Sequence, residues 1–147
     1  MSTNQIEQQT FIAAPAERVW AVLTEPAHIV GWFGDTAEIE LEQGGRVVLG
    51  WTEHGEVHAV VEKLEPPRVF AFRWSTEFGV LPAPGASTLV EFTLTPDGEG
   101  TLLRVVESGF DELAVPAEDQ RRRYQENTEG WTQELGELKT YAEKLDS

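Results

Sequence analysis

The chain has 147 residues, 40% of them apolar, no cysteine, and eleven basic against twenty-six acidic residues for a net charge of −15. That size suits one domain, residues 1–147, with a core that needs no staples. The missing thiols exclude disulfides and Cys-based zinc sites, and the charge repels phosphate backbones and anionic headgroups, so neither nucleic acid nor a membrane is expected as a partner.

The start, Met1 to Gln5, is polar and uncharged, without the basic start and apolar run of a signal peptide. No apolar stretch approaches the ~18 residues a membrane span needs, so a soluble, cytoplasmic protein is expected. Residues 5 to 12, with Ile6, Thr10, Phe11 and Ile12, read as a first strand. Pro15 then opens a short helix, where its missing amide hydrogen would go unpaired anyway. Val19, Trp20, Val22 and Leu23 give that helix its apolar side. Pro26 stops it and opens a second short helix through Ile29, Val30, Trp32 and Phe33, which Gly34 ends.

From there the apolar period changes from helical to two. Ile39 and Leu41 alternate with Glu38, Glu40 and Glu42, and Gly44-Gly45 is a tight hairpin signal. Val47, Leu49 and Trp51 share a face of the next strand, and His54-Gly55 marks another turn. A strand over 56 to 64 ends at Glu65-Pro66-Pro67, because proline cannot donate to a ladder. Phe70, Phe72 and Trp74 share a face, then residues 75 to 87 form the longest loop. Val90, Phe92 and Leu94 follow, with a hairpin at "TPDGEG" (95 to 100), and Leu103, Val105 and Glu107 lie on one face of the last strand.

Residues 118 to 145 carry the strongest helical pattern, with Tyr124, Trp131, Leu135, Leu138, Ala142 and Leu145 on one stripe. A helix of about 28 residues is ~42 Å long and covers the apolar face that an antiparallel sheet must bury. Gly130 and Gly136 weaken it by up to ~1 kcal/mol each; they are either tolerated or mark a close approach to the sheet. The fold class is therefore α+β: one strand, two short helices, six strands and a long C-terminal helix.

No G-x-S-x-G, P-loop or G-x-G-x-x-G is present, so no catalytic residue stands out. His54, Glu56 and His58 alternate, but His54 and His58 would lie ~13 Å apart along a strand, too far for one ion. No metal and no cofactor are expected. Glu107 is the most interesting polar residue and the one weak catalytic candidate. It orients a ligand or transfers a proton if buried; alternatively it sits in water or pairs with Arg73 or Arg104. Trp32, Phe33, Trp51, Phe72, Trp74, Phe92 and Trp131 either line a cavity or fill the core. Trp51, Trp74 and Trp131 are the first choices for a ligand site, with Trp32 nearer its entrance. The run Arg121-Arg122-Arg123 would ordinarily suggest an anion site, but in so acidic a chain it reads as a solvated turn of helix that offsets local carboxylates.

Four stretches, "IAAPAERVWAVLTEP" (12 to 26), "VGWFGDTAEIELEQGGRV" (30 to 47), "LEPPRVFAFRW" (64 to 74) and "GWTQELGELKTYAEKL" (130 to 145), span nearly the whole chain. Their order resembles the SRPBCC (START-like) superfamily, and within it the family homologous to the activator of the ninety-kilodalton heat-shock-protein ATPase. The resemblance implies a helix-grip fold, a curved sheet of six to seven strands with a ligand cavity beneath the C-terminal helix. The leading expectation is a non-enzymatic carrier or sensor of a small apolar or aromatic molecule. Trp32, Phe33, Trp51, Phe72, Trp74, Phe92, Glu107 and Trp131 are its candidate contacts. The alternatives are a co-chaperone-like module with a chaperone as protein partner, and a cyclase or aromatase-type enzyme worked by Glu107. A homodimer through a sheet edge or the 75 to 87 loop fits either binding reading.

Overall fold

Alternation of apolar and polar residues along the middle of the chain produces strands, and the closing 3.6-residue stripe produces the helix laid over them. A computed structural model describes residues 5–145. Its elements are β1 (Gln5–Ile12), α1 (Ala16–Thr24), α2 (Pro26–Ile29), β2 (Thr36–Ile39), β3 (Arg46–Trp51), β4 (Gly55–Glu65), β5 (Val69–Ser75), β6 (Ser87–Asp97), β7 (Gly100–Ser108), a 3-10 turn over Phe110–Glu112, and α3 (Ala117–Lys144). The strands form one curved, unclosed antiparallel sheet in the order β1-β7-β6-β5-β4-β3-β2. This is the helix-grip arrangement expected from the sequence.

Register sets what lies beneath α3. Ile6 pairs with Glu107, Glu107 with Val90, Val90 with Phe72, and Phe72 with Val61. All five are buried, so one row across the sheet is apolar except for a single carboxylate. The next row joins Val105 to Phe92 and Phe92 to Phe70. On α3, Trp131, Leu135, Leu138 and Ala142 are buried at helical spacing and face these rows. Burying a side chain such as Leu138 stabilises the fold by roughly 1.5–3 kcal/mol. Glu118 and Asp119 in the first turn of α3 complement its dipole.

Two local expectations are corrected. The strand read through Leu41 ends at Ile39, and Leu41 is exposed. Residues 40–45 instead fold into a tight turn whose backbone bonds reach β4, with Gly44 N donating to Val61 O and Val61 N to Gly45 O. A Cβ on Gly45 would collide with the Glu40 carbonyl, so glycine is required there. In α3, a Cβ on Gly130 or Gly136 would meet nothing within 4 Å. These glycines therefore mark no close approach to the sheet, because they lie off the Trp131–Ala142 stripe.

Candidate functional site

Glu107 continues the inward alternation of Leu103 and Val105 and is fully buried. Four neutral donors from β5, β6 and α3 surround it. Trp131 Nε1 lies 2.8 Å from Oε1. Thr88 Oγ1 lies 2.6 Å and Trp74 Nε1 3.0 Å from Oε2. Asn127 Nδ2 lies 3.1 Å from both oxygens. An indole N–H can only donate, so both oxygens act as acceptors. Neither Arg73 nor Arg104 is a partner: they pair with Glu62 and Glu7 on the opposite face of the sheet. Strand alternation explains this, since residues 104 and 107 point to opposite sides. The alternative of a solvated or Arg-paired Glu107 is thus corrected.

The aromatic candidates form one connected cluster with Phe33 at its centre. The Phe33 ring stacks with Trp32, Trp74 and Trp131 at centroid distances of 5.0, 6.0 and 6.2 Å, and meets Trp51 edge-on at 5.3 Å. Such offset and edge geometries are the favoured ones for rings. Gly34, at φ +80°, turns the chain directly after Phe33 and lets the backbone pass against Trp51 and Gly50.

This cluster divides the interior into two unequal spaces. Beneath the middle of α3, Trp32, Phe33, Phe72, Phe92 and Trp131 close on the aliphatic core and leave a gap of only about 20 Å³, room for about one water. Open room lies further along, beside the first half of α3, as a cleft of about 400 Å³. Its walls include Phe33, Trp51 and Trp74 from the sequence-derived set, with Thr88, Asn127 and Arg123. Ser75, Thr76 and Glu77 add a polar edge, and His54, Val57 and Phe78 complete the lining, with His54 stacked on Phe78 at 6.0 Å.

Phe33, Trp51 and Trp74 thus meet at open space, whereas Phe72, Phe92 and Trp131 serve the core around it. Trp32 is not at an entrance: it is buried, and its Nε1 donates to the Val22 carbonyl at 3.0 Å, which fixes it inside the α1–α2 turn. Glu107 lies behind the cleft wall, since Trp74, Thr88 and Asn127 both line the cleft and bond its oxygens. Sequence reasoning missed Thr88 and Asn127, and took Arg123 as solvated with the rest of its run, whereas it is half-buried against the cleft. Their signals were present: Thr88 precedes Val90 by two on a strand, and Asn127 and Arg123 precede Trp131 by one and two helical turns. Among the described residues no group of three or more His, Cys, Asp or Glu is placed to hold a metal ion. Among them also, no helix is long and apolar enough to cross a membrane.

Residues 13–143 match the family described as Activator of Hsp90 ATPase homolog 1-like protein. No curated protein matches the chain. Among solved structures, protein MLL2253 from Mesorhizobium loti is 27% identical, with 97% of this chain and 99% of that one covered and a TM-score of 0.81. DynU16, described as a putative protein in the dynemicin biosynthetic locus, is 26% identical over 96% of this chain and 48% of its own, with a TM-score of 0.77. The Aha1 dimer from Colwellia psychrerythraea, 18% identical over 95% of this chain and 96% of that one, shares the fold with a TM-score of 0.77.

Proposed function

The chain belongs to the family of Activator of Hsp90 ATPase homolog 1-like proteins, and from that premise we propose that it binds a small aromatic or apolar molecule in the cleft beside the first half of α3, with no reaction of its own. The observation that carries this reading is a cleft of about 400 Å³ whose surface is mainly apolar, from Phe33, Trp51 and Trp74, with polar side chains such as Thr88, Asn127 and Arg123 set among the rings. Sites for small molecules have this size and this balance of apolar wall and polar anchor. The filled space under the middle of α3 supports the same placement, because a gap of about 20 Å³ excludes any organic guest. Similarity to a protein described as belonging to a biosynthetic locus also supports a small molecule. A cyclase-type role for Glu107 lacks such support, since its oxygens are engaged by four donors and it is fully buried behind the cleft wall.

The test is titration with N-phenyl-1-naphthylamine, a neutral dye that brightens in apolar surroundings. Binding is expected to quench tryptophan emission and raise the melting temperature, the stability gain being about 2.7 kcal/mol at a hundredfold excess over Kd. No response to this dye, nor to a panel of neutral aromatics and lipids, would end the reading.

A second reading has its own observation. Phe78, Val80 and Leu81 in the segment between β5 and β6, and Val115 before α3, are 44–57% exposed. Apolar side chains gathered on one exposed segment favour a protein contact, either a chaperone or a second copy of the chain. Light scattering and a chaperone ATPase assay test it. A monomer at every concentration together with no stimulation would remove it.

A further inference from the structure

The cleft that we assign to a small molecule has a charged wall, and that wall narrows the class of guest. Arg123 stands on α3 one turn before Asn127 and is half-buried against the cleft. Its neighbours in the arginine run differ from it. Arg121 and Arg122 are exposed, and Arg122 pairs with Asp119. Among the described residues Arg123 has no ion-pair partner, although the chain carries twenty-six acids. A guanidinium on the wall of an apolar cleft presents a planar fork of donors suited to a carboxylate, sulfonate or phosphate.

Four carboxylates lie nearby, and none forms an ion pair with Arg123: on α3, Asp119 is paired with Arg122 and Glu126 is exposed. Glu77 is on the same rim but exposed, where water and salt screen it. Glu107 is behind the wall, and its oxygens already accept from the Trp74, Thr88, Asn127 and Trp131 donors. Arg123 itself lines the cleft. A net charge of −15 repels an anion at long range, so an anion is held only where a local cation contacts it directly.

We infer that the guest of this cleft is an aromatic anion, its ring against Trp51 and Trp74 and its charged group on Arg123; this rests on the cleft being a ligand site at all. Three probes with one ring system separate the two claims: 2-naphthoate, 2-naphthamide and 2-naphthylmethylammonium, titrated by calorimetry and tryptophan quenching.

Wild-type protein is expected to bind the carboxylate at least tenfold tighter than the amide, as a charge-assisted bond gives, and the ammonium weakest. Arg123→Gln should abolish that preference while the amide still binds. Arg123→Lys should retain part of it. Arg122→Gln, an equal change of net charge, should leave it intact. Equal affinity for all three probes, tightest binding of the ammonium, or an equal loss in Arg122→Gln would each overturn the inference while leaving the cleft as a ligand site. Binding of none of the three would overturn both.

Discussion

The indole nitrogen of Trp131 donates to Glu107 over 2.8 Å, joining α3 to β7 between two buried residues. Most of the α3–sheet interface is apolar, and apolar contacts permit sliding. Directional bonds at Glu107, from Trp131, Trp74, Thr88 and Asn127, act with those that join Thr128, Thr132 and Lys139 to β1 to select one seating of the helix. Trp74, Thr88 and Asn127 also line the cleft, so the geometry that docks the helix also shapes the site.

Replacing Glu107 by Gln should destabilise the protein by roughly 1–3 kcal/mol. The new amide keeps one acceptor but turns an NH2 group toward donors that have nothing to accept it. Urea unfolding followed by tryptophan emission reads this as a lower midpoint at unchanged slope. An unchanged midpoint would mean that the indoles and Asn127 find other acceptors, and the docking role would fall.

Much of this arrangement was legible in the sequence. The helix read over 118 to 145 is Ala117–Lys144, because an amphipathic stripe that long has no competing pattern. The inward rows through Phe72, Phe92 and Val105 followed from the period of two. The location of open space was not legible. Whether Trp131 fills a cavity or lines one depends on how Phe33 stacks on it at 6.2 Å, a contact 98 residues away that no local period encodes. Arg123 was hidden for the opposite reason: it sits in a run of three arginines, two of which are exposed.

Gly130→Ala and Gly136→Ala should each stabilise the protein, by up to ~1 kcal/mol. Both glycines are inside α3, and an added methyl meets nothing within 4 Å. The two gains should add in the double variant, since the positions share no partner. Calorimetric melting checks this, and a loss at either site would mean that its flexibility is used.

Glu134 makes stability fall as the solution becomes alkaline. Burial, then the neighbouring Glu137 carboxylate, push its pKa from the ordinary 4.5 up to about 8, and Oε2 is buried without a hydrogen-bond partner. The folded state therefore favours the protonated acid. Its contribution is fully present below pH 4.5 and is lost as pH rises through about 8. Glu7, Asp35 and Glu143 act in the opposite sense. Arg104 beside Glu7, the Thr52 backbone N–H beside Asp35, and the Ala13 N–H with Lys139 beside Glu143 hold these acids below their usual range. Their contributions are lost as pH falls through their depressed values. Glu134→Gln should flatten the alkaline arm between pH 5 and 9 and leave the acid arm in place, as read by denaturant midpoints across that range.

Trp51→Ala separates the cleft from the core. Trp51 is half-buried at the end of β3 and meets Phe33 edge-on at 5.3 Å, while Phe33 keeps its stacking with Trp32, Trp74 and Trp131. Losing Trp51 therefore removes a cleft wall and one ring contact, a contact of the kind that contributes about 0.5–1.5 kcal/mol beyond area burial. A neutral aromatic ligand should bind roughly three- to tenfold more weakly, with α3 still docked and Trp131 emission from its buried site unchanged. Phe92→Ala, a core change next to Trp131 at 5.7 Å, should do the reverse, costing roughly 3–5 kcal/mol of stability. If the Trp51 variant instead lost stability on that scale and kept its affinity, the cleft wall would belong to the core and the ligand would have to bind elsewhere.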